Sequence, residues 1–148
     1  MDKNYNVIVS HPGQQHSFKT AAALKKSDML FMYFTTVYKK RGSLTNFLCK
    51  FLAGEDSIRA NNRDCIELGI NDVQQRLEFL GLLTIFITRI FNNQKIYEMW
   101  NNWVVDIFGR KVAMFANNKK VDAIISYDNN SGVLFKRLEK NNIIRILD

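Results

Sequence analysis

Cysteine is scarce in this chain: its 148 residues include only Cys49 and Cys65. Two cysteines without a CxxC spacing supply neither the disulfide framework of a small secreted domain nor the paired thiols of a zinc site. We therefore expect two free thiols, as in a protein of the reducing cytoplasm.

The chain also lacks a long hydrophobic run. Its most apolar stretch, residues 80–91, is interrupted by Thr84, Thr88 and Arg89, and it is shorter than the roughly 20 residues that a membrane-spanning helix needs. Residues 2–4 are polar and lead directly into a strand-like run, which does not match a secretory signal peptide. We expect neither a membrane span nor a secretion signal.

Proline occurs once, at Pro12, and no Pro- or Ser-rich linker or internal repeat divides the sequence. A hydrophobic content of 47% is enough to build a buried core in a chain of 148 residues. We therefore expect a single domain covering residues 1–148.

Positive charge is in excess, with a net charge of +7 that favours anionic partners such as phosphates or acidic lipids. The most one-sided segment lies between residues 39 and 59. Its cations are Lys39, Lys40, Arg41, Lys50 and Arg59, opposed by Glu55 and Asp56. This segment is either a solvated face or a binding patch.

The first 36 residues show a β-α-β pattern. The β-branched run Val7–Ser10 ends at the turn formed by residues 11–13 and is typical of a buried strand. Apolar residues at helical spacing predict a helix over residues 14–27, and the apolar run that follows predicts a second strand over 29–34. Such a unit forms a parallel pair with a right-handed crossover.

The rest of the chain is helical until a second β-α-β unit near its end. The spacing predicts a helix capped by Ser43 and ended by Gly54, and longer helices over 71–91 and 95–116. Trp100 and Trp103 lie at helical spacing in the last of these, which favours packing over sugar stacking. Strands over 121–127 and 143–147 then flank a helix over 131–140.

These patterns predict an α/β fold: a Rossmann-like, doubly wound parallel sheet with helices on both faces. In such sheets, ligands bind beyond the carboxyl ends of the strands, near the point where strand order reverses. The loop after the first strand is the best anion site, because Gly13 permits close backbone approach and the amides of residues 14–17 are free. The absence of GxGxxG and GxxxxGK[ST] disfavours an NAD enzyme or an ATPase.

The only histidines, His11 and His16, lie in this same loop. Each either packs the turn or takes part in function, and His16 is nearer the helix start and better placed to donate to a phosphate or sugar hydroxyl. A metal site needs a third ligand, which this loop does not offer. We therefore expect no metal.

Both ends of the sequence resemble one enzyme family. The opening VIVSHPGQQHSFKTAAALKKSDMLFMYFTT resembles the start of bacterial family 4 glycosyltransferases, with their SHPG-type loop and H-S-containing helix start. The tail VDAIISYDNNSGVLFKRLEKNNIIRILD resembles the later part of the same N-terminal domain, with its Y-D pair and final I-L-D. Residues 43–118 share only their helical character with the family.

The resemblance implies the GT-B arrangement, in which two Rossmann-like domains face a cleft. This chain then corresponds to the N-terminal, acceptor-side domain, without the C-terminal domain and its Glu-rich donor motif, and is inactive by itself. The whole enzyme moves a sugar from a nucleotide diphosphate sugar, the co-substrate, to a glycan or lipid-linked acceptor in cell-envelope polysaccharide synthesis. The resemblance implies no other cofactor and no nucleic-acid partner.

The residues that the resemblance places at donor phosphate or acceptor are Gly13, Gln14, Gln15, His16, Asp128, Asn129 and Ser131. His16 is the candidate catalytic residue.

Two other functional classes stay open. One is a stand-alone flavodoxin-like module that binds a nucleotide or a protein. The other is a zinc-dependent sugar deacetylase, which also places His-Pro after its first strand, although Gly13 and Gln14 stand here where that enzyme needs aspartates.

Peripheral contact with the inner face of an anionic membrane is a further expectation. The predicted helix over 43–53 carries an apolar stripe with cations beside it, a pattern that suits a lipid interface. The same stripe alternatively faces the sheet. Its members are Leu44, Phe47, Leu48 and Phe51, and the neighbouring cations are Lys39, Lys40, Arg41 and Lys50.

Overall fold

The protein forms a five-stranded, all-parallel sheet flanked by helices. A computed structural model describes residues 5–13, 16–51, 54, 63–90, 93–138 and 142–148. In chain order the elements are β1 (Val7–Ser10), α1 (Ser17–Lys26), β2 (Leu30–Thr35), α2 (Leu44–Cys49), β3 (Val73–Gln75), α3 (Glu78–Ile90), α4 (Gln94–Asn117), β4 (Ala123–Ser126), α5 (Asp128–Arg137) and β5 (Ile144–Leu147).

The strand order β3-β2-β1-β4-β5 confirms the doubly wound prediction. The chain winds outward from β1 through β2 to β3 and then returns to place β4 on the other side of β1. Strand order therefore reverses between β1 and β4, where the loops after the two strands diverge.

Side chains that alternate along β1 explain why both faces are covered. Ile8 packs in a cluster with Phe108 of α4 and Leu134 of α5, whereas Val9 packs with Ala21 of α1 on the opposite face. Both β1 side chains are fully buried. A β-branched strand with no solvent-facing side is what a parallel sheet between two helical layers requires.

The predicted helix over 71–91 is wrong in its first part, because Val73–Gln75 forms the edge strand β3. Val73 is buried and aligns with Tyr33 of β2. Local helix propensity is overridden here by pairing with a distant strand. Leu77, at a positive φ of 62°, then separates β3 from α3.

The predicted start of the last helix at residue 131 is also wrong, because α5 begins at Asp128. The Tyr127 carbonyl accepts hydrogen bonds from the amides of Asn130 (2.9 Å) and Ser131 (3.0 Å), which closes the first turn. The Asp-Asn-Asn sequence between the predicted strand and the predicted helix forms the helix start, where these residue types are favoured.

The two tryptophans of α4 pack against each other, with ring centroids 5.2 Å apart. Trp100 is mainly covered and donates its indole N–H to Thr84 Oγ1 of α3 at 3.0 Å, whereas Trp103 is half exposed. The Trp100 contact joins α3 to α4, in agreement with the predicted packing role. Across the described part of the chain, no helix is long and apolar enough to cross a bilayer.

Candidate ligand site at the carboxyl edge of the sheet

A cavity of about 270 Å³ lies between the turn that follows β1 and the helices α3 and α4. Its backbone wall is formed by the turn of residues 11–13, and its apolar wall includes Val37, Ile85 and Val104. The cavity is at the edge where ligands bind in doubly wound sheets. Among the described residues, its polar side chains, apart from that of His11, are Thr36, Arg63, Thr84, Thr88, Tyr97 and Asn101.

Two threonines at the end of β2 hold the turn in place. Thr35 donates its hydroxyl to the Gly13 carbonyl at 3.0 Å, and Thr36 donates its hydroxyl to the Pro12 carbonyl at 2.5 Å. The amide of His11 donates to the Phe34 carbonyl at 3.0 Å. Because these bonds engage the carbonyls of the turn, its backbone is fixed against the neighbouring strand.

His11 is the histidine that lines the cavity. Its side chain is only 3% exposed, and its ring meets that of Tyr127 edge to face at a centroid distance of 5.1 Å. A Cβ atom on residue 13 would lie 3.1 Å from Cε1 of His11, which is tighter than ordinary packing. Gly13 therefore provides the space that the buried imidazole occupies.

Helix α3 closes the cavity because a glycine lets it approach the end of β2. A Cβ on residue 81 would fall 2.3 Å from Oγ1 of Thr36 and 2.8 Å from Cγ2 of Val37. Thr84 and Thr88 follow Gly81 at spacings of three and seven, so all three lie on one face of α3.

The hydroxyls of Thr84 and Thr88 present oxygen lone pairs to the cavity. Thr84 donates to the Leu80 carbonyl at 2.9 Å, and Thr88 donates to the Ile85 carbonyl at 2.7 Å. With its single proton used within the helix, each hydroxyl can meet a ligand only as an acceptor. The Thr84 oxygen already accepts the Trp100 indole N–H and has one lone pair left. A ligand rich in hydroxyl donors suits this wall.

Buried polar side chains join β1, β4 and α5 beside the cavity. Asn130 is only 1% exposed, and its amide nitrogen donates to the hydroxyls of Ser10 (2.8 Å) and Ser126 (3.4 Å). A Cβ on Gly109 of α4 would lie 3.1 Å from Oδ1 of Asn130, so the glycine accommodates the amide. This cluster fixes the strand ends at the point where strand order reverses.

Two buried tyrosines lie on the α1 face of the sheet. Tyr33 bonds to Ser17 Oγ at 2.9 Å, and Tyr127 donates to Thr20 Oγ1 at 2.9 Å. Burial raises the pKa of Tyr33. Burial and, to a smaller extent, the Asp148 carboxylate raise the pKa of Tyr127 to about 12. Both hydroxyls are therefore protonated at neutral pH and anchor α1 to the sheet.

The structure brings only part of the predicted loop site to the cavity. Gly13 lines it. His16 lies outside it as an exposed residue at the start of α1, where its carbonyl accepts from the Lys19 amide at 2.9 Å and its side chain caps nothing. Gln14 and Gln15 lie outside the described residues.

Of the predicted residues after β4, Asp128 and Ser131 are at the carboxyl edge but do not line the cavity. Asp128 is exposed at the first position of α5, and Ser131 donates its hydroxyl to the Asp128 carbonyl at 3.3 Å. The side chain of Asn129 lies outside the described part of the molecule. Within the described ranges, no group of three or more His, Cys, Asp or Glu side chains is arranged to hold a metal.

The cavity residues that sequence reasoning missed come from the middle of the chain. Arg63, Tyr97 and Asn101 carry no recognisable motif. Thr84 and Thr88 did leave a signal, because they are two polar residues four apart in the otherwise apolar stretch 79–88 of α3. That pattern places both hydroxyls on one face and predicts that this face meets something polar.

Comparisons with protein-family models, curated proteins and solved structures give no match to this chain. Fold and site alone therefore define its class, a Rossmann-like doubly wound α/β domain with a polar cavity at the carboxyl edge of its sheet.

Proposed function

We propose that this domain is the acceptor-side half of a nucleotide-sugar-dependent glycosyltransferase and that it binds a sugar in the cavity between the β1 turn, α3 and α4. The observation that carries the proposal is the lining of this cavity, which combines hydroxyl and amide groups with apolar side chains at the ligand-binding edge. The resemblance of both chain ends to family 4 glycosyltransferases supports the same function.

The size and chemistry of the cavity suit one sugar ring. At about 270 Å³ it is slightly smaller than pockets for drug-sized ligands, which start near ~300 Å³. A sugar presents hydroxyl donors around an apolar ring, and the cavity offers the acceptor oxygens of Thr84 and Thr88 opposite apolar groups such as Val104. Arg63 also lines the cavity.

In this proposal His11 replaces His16 as the histidine at the acceptor, because His11 lines the cavity and His16 does not. An imidazole beside an acceptor hydroxyl can take its proton as the new glycosidic bond forms and the nucleotide diphosphate leaves with the bonding electrons. In this proposal donor binding belongs to a second domain, so residues 1–148 by themselves are expected to bind sugar without transferring it. The enzyme would act at the cytoplasmic face of a membrane.

Two neighbouring asparagines of α4 allow a matched test. Asn101 lines the cavity, whereas Asn102 is exposed and does not. NMR titration of the chain with a panel of monosaccharides and nucleotide diphosphate sugars should show sugar binding. We expect Asn101→Ala to weaken that binding about tenfold, the effect of losing one good hydrogen bond, and Asn102→Ala to leave it unchanged.

Equal effects of the two variants, or no sugar binding at all, would overturn the proposal. Micromolar binding of a free nucleotide with no sugar binding would instead favour the stand-alone module.

A further inference from the structure

Helix α3 is strongly apolar, yet it leaves large apolar side chains exposed. Eight of its 13 residues are large and apolar, and such a helix is normally buried. Yet Phe79 is 66% exposed and Phe86 is 56% exposed. These two rings are seven residues apart and therefore share one side of the helix, away from the side on which Thr84 and Thr88 line the cavity.

Helix α2, which is joined to α3, carries two further exposed rings. The Glu78 carboxylate, at the start of α3, accepts hydrogen bonds from the amide of Thr45 (2.7 Å) and from its hydroxyl (2.6 Å), which joins the two helices. Thr45 is the buried residue of α2. Phe47 and the following Phe51 are 54% and 72% exposed, with ring centroids 5.1 Å apart.

The apolar stripe of α2 therefore does not face the sheet, which was the alternative left open by the sequence. We call the four exposed rings of Phe47, Phe51, Phe79 and Phe86 the α2–α3 apolar surface.

Cations border this surface. Arg41 precedes α2, and Lys50 follows it; both are exposed. Glu78, the acid at the junction of α2 and α3, is engaged by Thr45 and by the side-chain amide of Gln75 at 3.3 Å. Exposed aromatic rings with cations at their border complement an anionic lipid surface in both polarity and charge.

We propose that the α2–α3 apolar surface docks on an anionic lipid bilayer and that the acceptor is a sugar carried on a lipid embedded in that bilayer. The identity of the acceptor rests on the proposed function. One side of α3 lines the sugar cavity while the other side contacts lipid, so the head group of a lipid-linked sugar reaches the cavity from the membrane surface. A soluble glycan needs no such arrangement.

Vesicle flotation without sugar tests the docking step. We expect the chain to float with phosphatidylglycerol vesicles, to float less at high salt, and not to float with phosphatidylcholine. The double variant Phe79→Ser/Phe86→Ser should bind anionic vesicles at least tenfold more weakly. Arg41→Gln/Lys50→Gln should also bind more weakly and show a smaller salt dependence.

The amino-terminal end of the sheet, where α4 ends before β4 begins, supplies matched controls. Met114 is 65% exposed near the end of α4, and Lys119 and Lys120 are exposed just after it. We expect Met114→Ser and Lys119→Gln/Lys120→Gln to bind vesicles as the unaltered chain does. Failure to bind anionic vesicles, or equal losses in the controls, would overturn the docking proposal. Lipid-free dimerisation that Phe79→Ser/Phe86→Ser abolishes would overturn it as well, because the surface would then join two copies.

A second measurement tests the acceptor class. Vesicles containing a glycolipid with the sugar that the free chain binds should bind the chain more tightly than plain anionic vesicles, and Asn101→Ala should abolish only that increment. No increment would overturn the lipid-linked acceptor. Titration with free sugar, without vesicles, reports on the cavity alone. If no sugar binds but the chain still binds anionic vesicles, the result counts against the proposed function and not against docking.

Discussion

Gly81 of α3 lies directly against Thr36 at the end of β2, so closely that a Cβ on residue 81 would be 2.3 Å from the threonine oxygen. Thr36 in turn donates its hydroxyl to the Pro12 carbonyl. A single close contact thus links the helix that walls the cavity, the strand beside it and the turn that carries His11.

Gly81→Ala should therefore destabilise the fold, although alanine is more favourable than glycine within a helix by about 1 kcal/mol. Crowding in packed sites costs about 1–3 kcal/mol, and Thr36 cannot move without loosening the turn. Because a Cβ at 2.3 Å from Thr36 places the crowding in the upper part of this range, we expect the free energy of unfolding to fall by roughly 1–2 kcal/mol net in urea denaturation.

Gly132 in α5 is the control, because no atom lies within 4 Å of the Cβ that would be added there. Gly132→Ala should raise the free energy of unfolding by roughly 0.5–1 kcal/mol. A Gly81→Ala protein as stable as the Gly132→Ala protein would show that α3 does not pack as described.

The two histidines should differ in their effect on sugar binding. His11→Ala removes a side chain from the cavity and should weaken binding about tenfold, on the scale of one hydrogen bond. His16→Ala changes an exposed residue outside the cavity and should leave affinity unchanged. NMR titration of both variants measures their sugar affinities. A greater loss of affinity in His16→Ala than in His11→Ala would support the site predicted from sequence.

Asn130→Ala should destabilise the strand ends. The change removes a buried amide and leaves the Ser10 and Ser126 hydroxyls without it, which typically costs about 1–3 kcal/mol. Thermal and urea denaturation measure the loss. Ser131→Ala, one residue later and partly exposed, is the control; losses of similar size in the two variants would argue against a special role for the buried cluster.

Alkaline pH should weaken the fold through Tyr127. Its pKa is about 12 in the folded protein, against about 10 in an unfolded chain. A raised pKa favours the protonated form, so this contribution to stability is complete below pH ~10 and is lost as pH rises from ~10 to ~12. Urea denaturation from pH 8 to 11 should show the decline, and Tyr127→Phe should show a shallower one. If stability falls equally steeply with pH in both proteins, Tyr127 does not cause the decline.

Four strands could be predicted from sequence because their side-chain patterns are local. β1 and β2 are continuous apolar runs, as buried parallel strands require. β3 could not be predicted in the same way. It has three residues, and its one buried side chain, Val73, adopts a strand conformation through pairing with β2.

The candidate site was only partly predictable for a related reason. Gly13 was found because a turn after a buried strand is a local signal. Which of His11 and His16 meets the cavity depends on α3 and α4, whose placement against the turn is set by long-range contacts such as Gly81 with Thr36. No local pattern carries that information.

Threonine methyl groups provide the most direct measurement of sugar binding in the cavity. Thr36, Thr84 and Thr88 line the cavity, whereas Thr20 and Thr45 are hydrogen-bonded to Tyr127 and Glu78 outside it. In a protein with labelled threonine methyls, saturation with the sugar that binds should shift the three cavity resonances and leave those of Thr20 and Thr45 in place. Shifts confined to Thr20 or Thr45, or no shift with any sugar, would contradict a sugar site in this cavity.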